Sequence, residues 1–367
     1  MRETTDSFLK PLDSTPRHDV RRSSKVFKAR SEPISYSTLS VEAVSRLTSR
    51  HYGLQGPIEC ALFARGVNDV YLISTRQKKF ALRVSHAGSR TRQVIEAELD
   101  ALSYLGARGA SVALPICRND GAGITDIRAP EGARLSVLFH WAEGQVPKLS
   151  DRRHALLCGR HMAELHTASE EMPCDMNLPR LNLEHLLIRP ARLIRPKLER
   201  WPSMAQRLDA LVERLERRVT GGADLLRDQG FCHGDVHSGN VRIQGDRVVS
   251  FDFDACGTSW RLYDLASYKW EARRRGVEEL AWRPFIEGYL QLRPAAADSL
   301  SLADIFLILR HLWLVSEWIL FTSIIGQGLL ADEFFETLVP FCEEIESGAP
   351  GAFQTFYTTW PTQPSIA

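Results

Sequence analysis

The stretch Phe231-Cys232-His233-Gly234-Asp235-Val236-His237-Ser238-Gly239-Asn240 concentrates residue types that do chemistry. Asp235 is followed five residues later by Asn240, and twelve residues after that by Asp252 in Phe251-Asp252-Phe253-Asp254. These are the parts that phosphoryl transfer requires. Its transition state is loose and heavily charged, so a carboxylate must align and deprotonate the attacking hydroxyl, and hard oxygen ligands must hold the Mg²⁺ that bridges the phosphates. Asp235 suits the first role; Asn240 and Asp252 suit the second.

The flanking sequence predicts the elements that would position them. Ser37 is a plausible N-cap for an amphipathic helix carrying Val41, Val44 and Leu47. Residues 58–64, 70–75 and 80–85 read as three short strands of an antiparallel meander. Residues 90–105 have helical period, with Val94, Ala101, Leu102 and Leu105 on one stripe. Glu98 falls inside that stripe and Glu96 almost opposite it. A carboxylate on a buried face costs several kcal/mol unless a cation answers it. Two more strands are expected at 112–117 and 134–139, and Gly144 with Pro147 marks a boundary. Beyond it Leu156, Gly159, Ala163 and His166 share a helical face, a charged helix covers 204–219, residues 231–254 return to short strands, and the rest is helical to about residue 345. The expected fold class is α+β, two-lobed. It comprises a flexible tail at 1–33, an N-lobe with an antiparallel sheet and one helix at 34–139, a hinge at 140–146, a larger and mostly helical C-lobe at 147–350, and a tail at 351–367.

Composition narrows the function classes. The 367 residues carry a net charge of +1, with 44% hydrophobic and 25% charged side chains, which excludes a disordered chain and a polycation, so no nucleic-acid partner is expected. The most apolar stretch, 305–325, is broken by Arg310, His311 and Glu317, so no membrane span is expected. Arg2, Glu3 and Asp6 stand where a signal peptide needs apolar residues, and the seven cysteines are scattered without a Cys-x-x-Cys pair. The expected location is the cytoplasm.

The His-Gly-Asp-x-His-x-x-Asn motif, the Phe-Asp-Phe-Asp element and Leu262-Tyr263-Asp264-Leu265-Ala266 resemble the aminoglycoside phosphotransferase and choline kinase superfamily, which has a protein-kinase-like fold. The likeness is strongest to the branch holding type II homoserine kinases and stress response kinase A. It implies nucleotide binding for the first lobe and catalysis and the acceptor for the second, with ATP and Mg²⁺ as cofactors, Asp235 as catalytic base, Asn240 and Asp252 as metal ligands, and Asp264 as a buried brace of the catalytic loop. Asp254 would touch a second metal or the acceptor. Arg83, where many kinases have Lys, would grip the phosphates with Glu98 as its partner. Gly66 and Asn68 would form the turn over the nucleotide, and Phe139 and Trp141 would supply the hinge contact and a flat wall for the base. His237 either touches the transferred phosphate or bonds within its loop. The acceptor implied is a hydroxyl on a small molecule; a protein Ser/Thr kinase of the stress response type and a nucleotide-binding pseudokinase scaffold are the alternatives. Residues 301–346 carry eight acidic side chains against Arg310, a charge of −7. A negative field beside Asp235 would favour an amine-bearing acceptor, with Glu317 as the residue to hold it.

Overall fold

The computed structural model describes residues 34–173, 176–326 and 330–348; the tails expected at 1–33 and 351–367 lie outside the described residues. The first helix, α1 (Val41–Tyr52), is capped by Ser40, whose hydroxyl accepts the Ala43 N–H at 3.2 Å. Ser37 is not the cap, because its hydroxyl donates to Glu131 at 2.8 Å instead. The meander follows as β1 (Glu59–Arg65), β2 (Asn68–Ser74) and β3 (Lys79–Ser85), with Tyr71 opposite both Leu62 and Leu82. Next come α2 (Arg92–Ala107), capped by Thr91, then β4 (Pro115–Ile116), β5 (Thr125–Ala129) and β6 (Gly132–His140). The sheet order is β1-β2-β3-β6-β4, with β5 also on β6. Strand alternation splits its contacts. Leu138 packs with Tyr71, Ile73, Leu82 and Val44 of α1, while its neighbours Val137 and Phe139 join Ile95 and Leu102 of α2.

Two strand expectations need correction. β5 was missed, although Thr125 and Ile127 point inward and Asp126 and Arg128 outward; five residues with one large apolar side chain give a faint period-two signal. The strand expected at 112–117 shrinks to two residues because Pro115 has no N–H to donate, and Ala113 turns away to give its N–H to Ser250 at 2.9 Å. The crossing to the second lobe is pinned where Gln145 and Ile243 exchange both backbone hydrogen bonds at 2.9 Å.

The second lobe opens with α3 (Arg152–Ala168), capped by Asp151, followed by α4 (Arg189–Ile194) and α5 (Pro202–Gly221). Four short strands then carry the motif region: β7 (Gln229–Cys232), β8 (Val241–Gln244), β9 (Arg247–Ser250) and β10 (Gly257–Trp260), paired antiparallel as β7 with β10 and β8 with β9. The remaining helices are α6 (Leu262–Arg274), α7 (Glu278–Leu290), α8 (Ala303–Leu320), α9 (Thr322–Ile325) and α10 (Asp332–Ser347). At Gly159 of α3 a Cβ would lie 1.8 Å from the carbonyl oxygen of Phe285 on α7, so only glycine allows that approach. The stretch Pro294–Leu320 is long and apolar enough to suit a bilayer by composition, and most of it is buried inside the protein; the apolar residues serve as core.

The acidic excess at 301–346 does not form a wall facing the loop of Asp235. Arg200, Arg207 and Arg214, spaced by seven along α5 and the residue pair before it, meet α10: Arg200 pairs with Asp332 at 2.6 Å, Arg207 with Glu343, and Arg214 with Glu346 at 2.9 Å. Asp304 pairs with Lys269 at 2.7 Å. Counting charge along the chain missed these cations because they arrive from other helices.

Candidate active site

The loop that carries Asp235 follows β7 and is held by one face of α6. Asp264, fully buried in the first turn, accepts the backbone N–H of His233 at 2.7 Å and of Gly234 at 2.9 Å. Oδ2, the oxygen that accepts the His233 N–H, also meets His166 Nε2 at 3.1 Å, and His166 in turn bonds Tyr289. Glu271 lies seven residues on, hence on the same face, and accepts Ser238 N at 2.6 Å and Ser238 Oγ at 2.7 Å. Gly234 has φ +82°, and a Cβ there would meet the Ala255 carbonyl oxygen at 2.1 Å. His233 bonds Phe251 O at 3.0 Å and packs on the Phe253 ring at 4.2 Å. It is therefore a prop between the loop and the 251–254 element. Cys232 and Cys256 are both buried, and burial pushes their thiol pKa far up, which fits small core residues.

Asp235 emerges from this frame with its carboxylate partly exposed. Its Oδ2 faces Asn240 Nδ2 at 3.3 Å and His237 Nε2 at 3.5 Å, and its Oδ1 accepts a hydrogen bond from Arg310 of α8. Burial pushes its pKa up, but Arg310 first and His237 second outweigh that and hold the carboxyl well below the usual range. His237 also accepts the Gly239 N–H at 3.0 Å, so it bonds within its loop as well as facing Asp235.

Phe251 N–H donates to Asn240 O at 3.0 Å, and the next residue, Asp252, is in the left-handed region at φ +62°. That conformation costs a non-glycine residue about 1–3 kcal/mol and is kept only where its surroundings enforce it. Burial and the neighbouring Asp254 raise the Asp252 pKa to about 7. Asn240 Oδ1 is buried and has no hydrogen-bond donor among the described residues. A buried amide oxygen with no donor and a carboxylate paired only loosely, with Arg83 at 3.6 Å, fit a divalent cation. Asp254 accepts a hydrogen bond from Asn68 Nδ2 at 2.8 Å, linking the β1–β2 turn to the second lobe.

Glu98 answers the question its buried position raised. It is 1% exposed and takes Arg83 Nη2 and Arg90 Nη1, each at 2.7 Å, while Arg83 Nη1 lies 3.6 Å from Asp252. Beside this cluster a cleft of about 650 Å³ opens between the lobes, lined by Val70, Ala81, Phe139, Trp141, Phe251 and Arg242 among others. Arg83 sits 5.0 Å over the Phe139 ring, and Trp141 meets Phe63 edge-on at 5.0 Å.

The structure thus places Arg83, Asp252, Phe139 and Trp141 in the cleft lining, with Glu98 bonded to Arg83, and Asp235, His237 and Asn240 together on the adjoining loop. Gly66 and Asn68 lie outside that lining: Gly66 O is held by the His86 ring at 2.8 Å, and Asn68 by Asp254. Glu317 is half-buried, with its pKa raised by burial, and close enough to Arg189, Asp254 and Arg310 to feel their charges. Sequence reasoning missed Arg90, Glu271 and Arg310. Two of these left a signal. Glu271 repeats Asp264 two helical turns on, and Arg310 is a lone cation among apolar neighbours, the same anomaly that exposed Glu98.

The profile of the phosphotransferase enzyme family (APH) matches residues 59–298, and the chain belongs to that family. It is an enzyme of the kinase class with a protein-kinase-like fold. An uncharacterized protein of Deinococcus radiodurans is 34% identical over 339 residues, 91% of this chain and 98% of its own. A homoserine kinase of Neisseria meningitidis is 27% identical over 243 residues, 64% of this chain and 74% of that one. An amicoumacin kinase solved with AMP-PNP and Ca²⁺ superposes with a TM-score of 0.66 at 22% identity, over 86% of this chain and 96% of that one.

Proposed function

We propose that this protein is a cytoplasmic phosphotransferase that uses ATP and Mg²⁺ to phosphorylate a hydroxyl of a small, amine-bearing molecule. The observation that carries the reading is the convergence of Asp235, Asn240 and Asp252 beside a cleft, with Arg83, held by Glu98, at the same edge 3.6 Å from Asp252. The homoserine kinase relative, whose named acceptor carries both an amine and a hydroxyl, and the nucleotide and divalent metal bound by the amicoumacin kinase support it.

In this reading Phe139 and Trp141 flank the base, and Arg83, fixed by Glu98, grips the phosphates as a planar fork. Asn240 and Asp252 hold the Mg²⁺, with Asp254 at its margin. When bound, that ion neutralises charge on the phosphates as it develops. Asp235 Oδ2 receives the acceptor's hydroxyl proton, while Glu317 and Asp254 hold its ammonium group. Gly66 and Asn68 join the phosphate contacts once nucleotide displaces the Asn68–Asp254 bond. The alternative of a large protein acceptor has no observation in its favour.

The test is ATP consumption by the purified protein across amino alcohols, homoserine, aminoglycosides, neutral sugars and a generic protein substrate. One amine-bearing small molecule should stand out, and Asp235→Asn should cut its turnover by ~10²–10⁴ while nucleotide binding survives. A variant that keeps more than about a third of wild-type kcat would remove Asp235 from the base role.

A further inference from the structure

We propose that Arg310 is a positioning residue, whose guanidinium fixes the Asp235 carboxylate in the orientation that receives the acceptor's proton. The inference rests on the kinase reading above and adds a residue that no sequence motif marks.

Arg310 lies in the middle of α8, 75 residues from Asp235, and is 2% exposed among Leu309, His311 and Leu312. A buried cation must be paired to be tolerated. Its Nη2 donates to Asp235 Oδ1 and its Nη1 to the Gly234 carbonyl oxygen at 3.3 Å, so one guanidinium holds both the side chain and the preceding peptide of the loop. Arg310 is itself held in place by aromatic rings, lying 4.9 Å over Trp313 and 5.7 Å over Trp270. Trp313 is tied further by its indole N–H to His185 Nε2 at 3.0 Å.

An aspartate's terminal torsion is broad and nearly two-fold, so nothing intrinsic to the side chain fixes the plane of its carboxylate. Here Arg310 occupies Oδ1, and the plane then presents Oδ2 toward Asn240 and His237. The guanidinium also draws negative charge from the base and makes it a poorer proton acceptor. A loose transition state tolerates this, because catalysis of phosphoryl transfer is mostly alignment. In the step served, the acceptor's O–H proton passes to Asp235 Oδ2 and the acceptor oxygen bonds the γ-phosphorus. The bond from that phosphorus to the β,γ-bridging oxygen breaks, and ADP leaves with the electron pair.

The experiment is a double-mutant cycle on the full chain with Arg310→Gln, Arg310→Lys, Asp235→Asn and Asp235→Asn/Arg310→Gln, reading kcat, both KM values and affinity for a non-hydrolysable ATP analogue. Arg310→Gln should lower kcat ~10–100-fold, as misplacement of a reacting group does, with analogue affinity within about threefold of wild type. Arg310→Lys should recover part of the loss. In the Asp235→Asn background the Gln substitution should change the residual rate by less than about threefold, because the group it positions is gone. If Arg310→Gln does not fold, the Lys variant, alone and combined with Asp235→Asn, completes the same cycle. An equal loss in both backgrounds, or a loss of analogue affinity matching that of kcat, would overturn the positioning role. Full activity of Asp235→Asn alone would remove Asp235 from the base role, whereas wild type that consumes no ATP with any acceptor would overturn the kinase reading, so the two failures are distinguishable.

Discussion

Removing Glu98 should damage the first lobe and nucleotide binding together. The carboxylate is 1% exposed and accepts two guanidinium hydrogen bonds at 2.7 Å, from Arg83 and Arg90, which are themselves largely buried. Truncation to Ala leaves two cations without their counter-charge, a perturbation of the kind that costs about 3–5 kcal/mol. Arg83 retains Asp252 at 3.6 Å as a partial substitute, which places the expected loss of unfolding free energy near the low end, about 3 kcal/mol. Once Arg83 turns toward Asp252 its fork no longer addresses the phosphates, and affinity for an ATP analogue should fall ~10–100-fold, or about 1.4–2.7 kcal/mol. Urea unfolding and calorimetric titration measure the two quantities. Glu96, exposed on the opposite side of α2, is the control, and Glu96→Ala should stay within about 0.5 kcal/mol of wild type. The sign with pH is fixed as well. Burial pushes the Glu98 pKa up, but Arg83 and then Arg90 bring it below the ordinary glutamate value. Its stabilisation is therefore complete above the unfolded pKa of about 4.3 and is lost as pH falls through the lowered folded value. Wild type and Glu98→Gln should converge in stability only in strong acid. Equal effects of the Glu96 and Glu98 substitutions, or convergence at neutral pH, would refute the reasoning.

Asp252→Ala should abolish the tightening of ATP-analogue binding by Mg²⁺, because it removes the carboxylate assigned to the ion; titration with and without the metal reads this, and an unchanged metal effect contradicts the assignment. Glu317→Gln should raise KM for an amine-bearing acceptor ~3–10-fold with little change in kcat, and the wild-type KM should climb with ionic strength. Asp332→Asn and Glu343→Gln should leave that KM unchanged, since their carboxylates are paired with Arg200 and Arg207; an acceptor KM that responds to them as strongly as to Glu317 would place the ammonium group elsewhere.

The sequence by itself determined the parts of the site that are local. Asp235, Asn240 and Asp252 fall within eighteen residues, on one loop and the hairpin of β8 and β9, so their spacing already fixes which side chains can converge. Glu98 was legible for a different reason: helical phase put a carboxylate on an apolar stripe, and burial of charge demands a partner. The same reasoning placed the meander and the long helices, whose apolar periodicity is strong, and failed at β5 and at 112–117, where a short run or a proline leaves pairing to the neighbours. Tertiary structure alone decided what arrives from a distance. Arg310 reaches Asp235 across 75 residues and Asn68 reaches Asp254 across 186, and no pattern within either segment specifies the meeting. The acidic run of α10 read as a field facing the acceptor until packing against α5 supplied Arg200, Arg207 and Arg214. Coulomb energy depends on separation in space, and separation along the chain predicts it only where one secondary-structure element carries both charges.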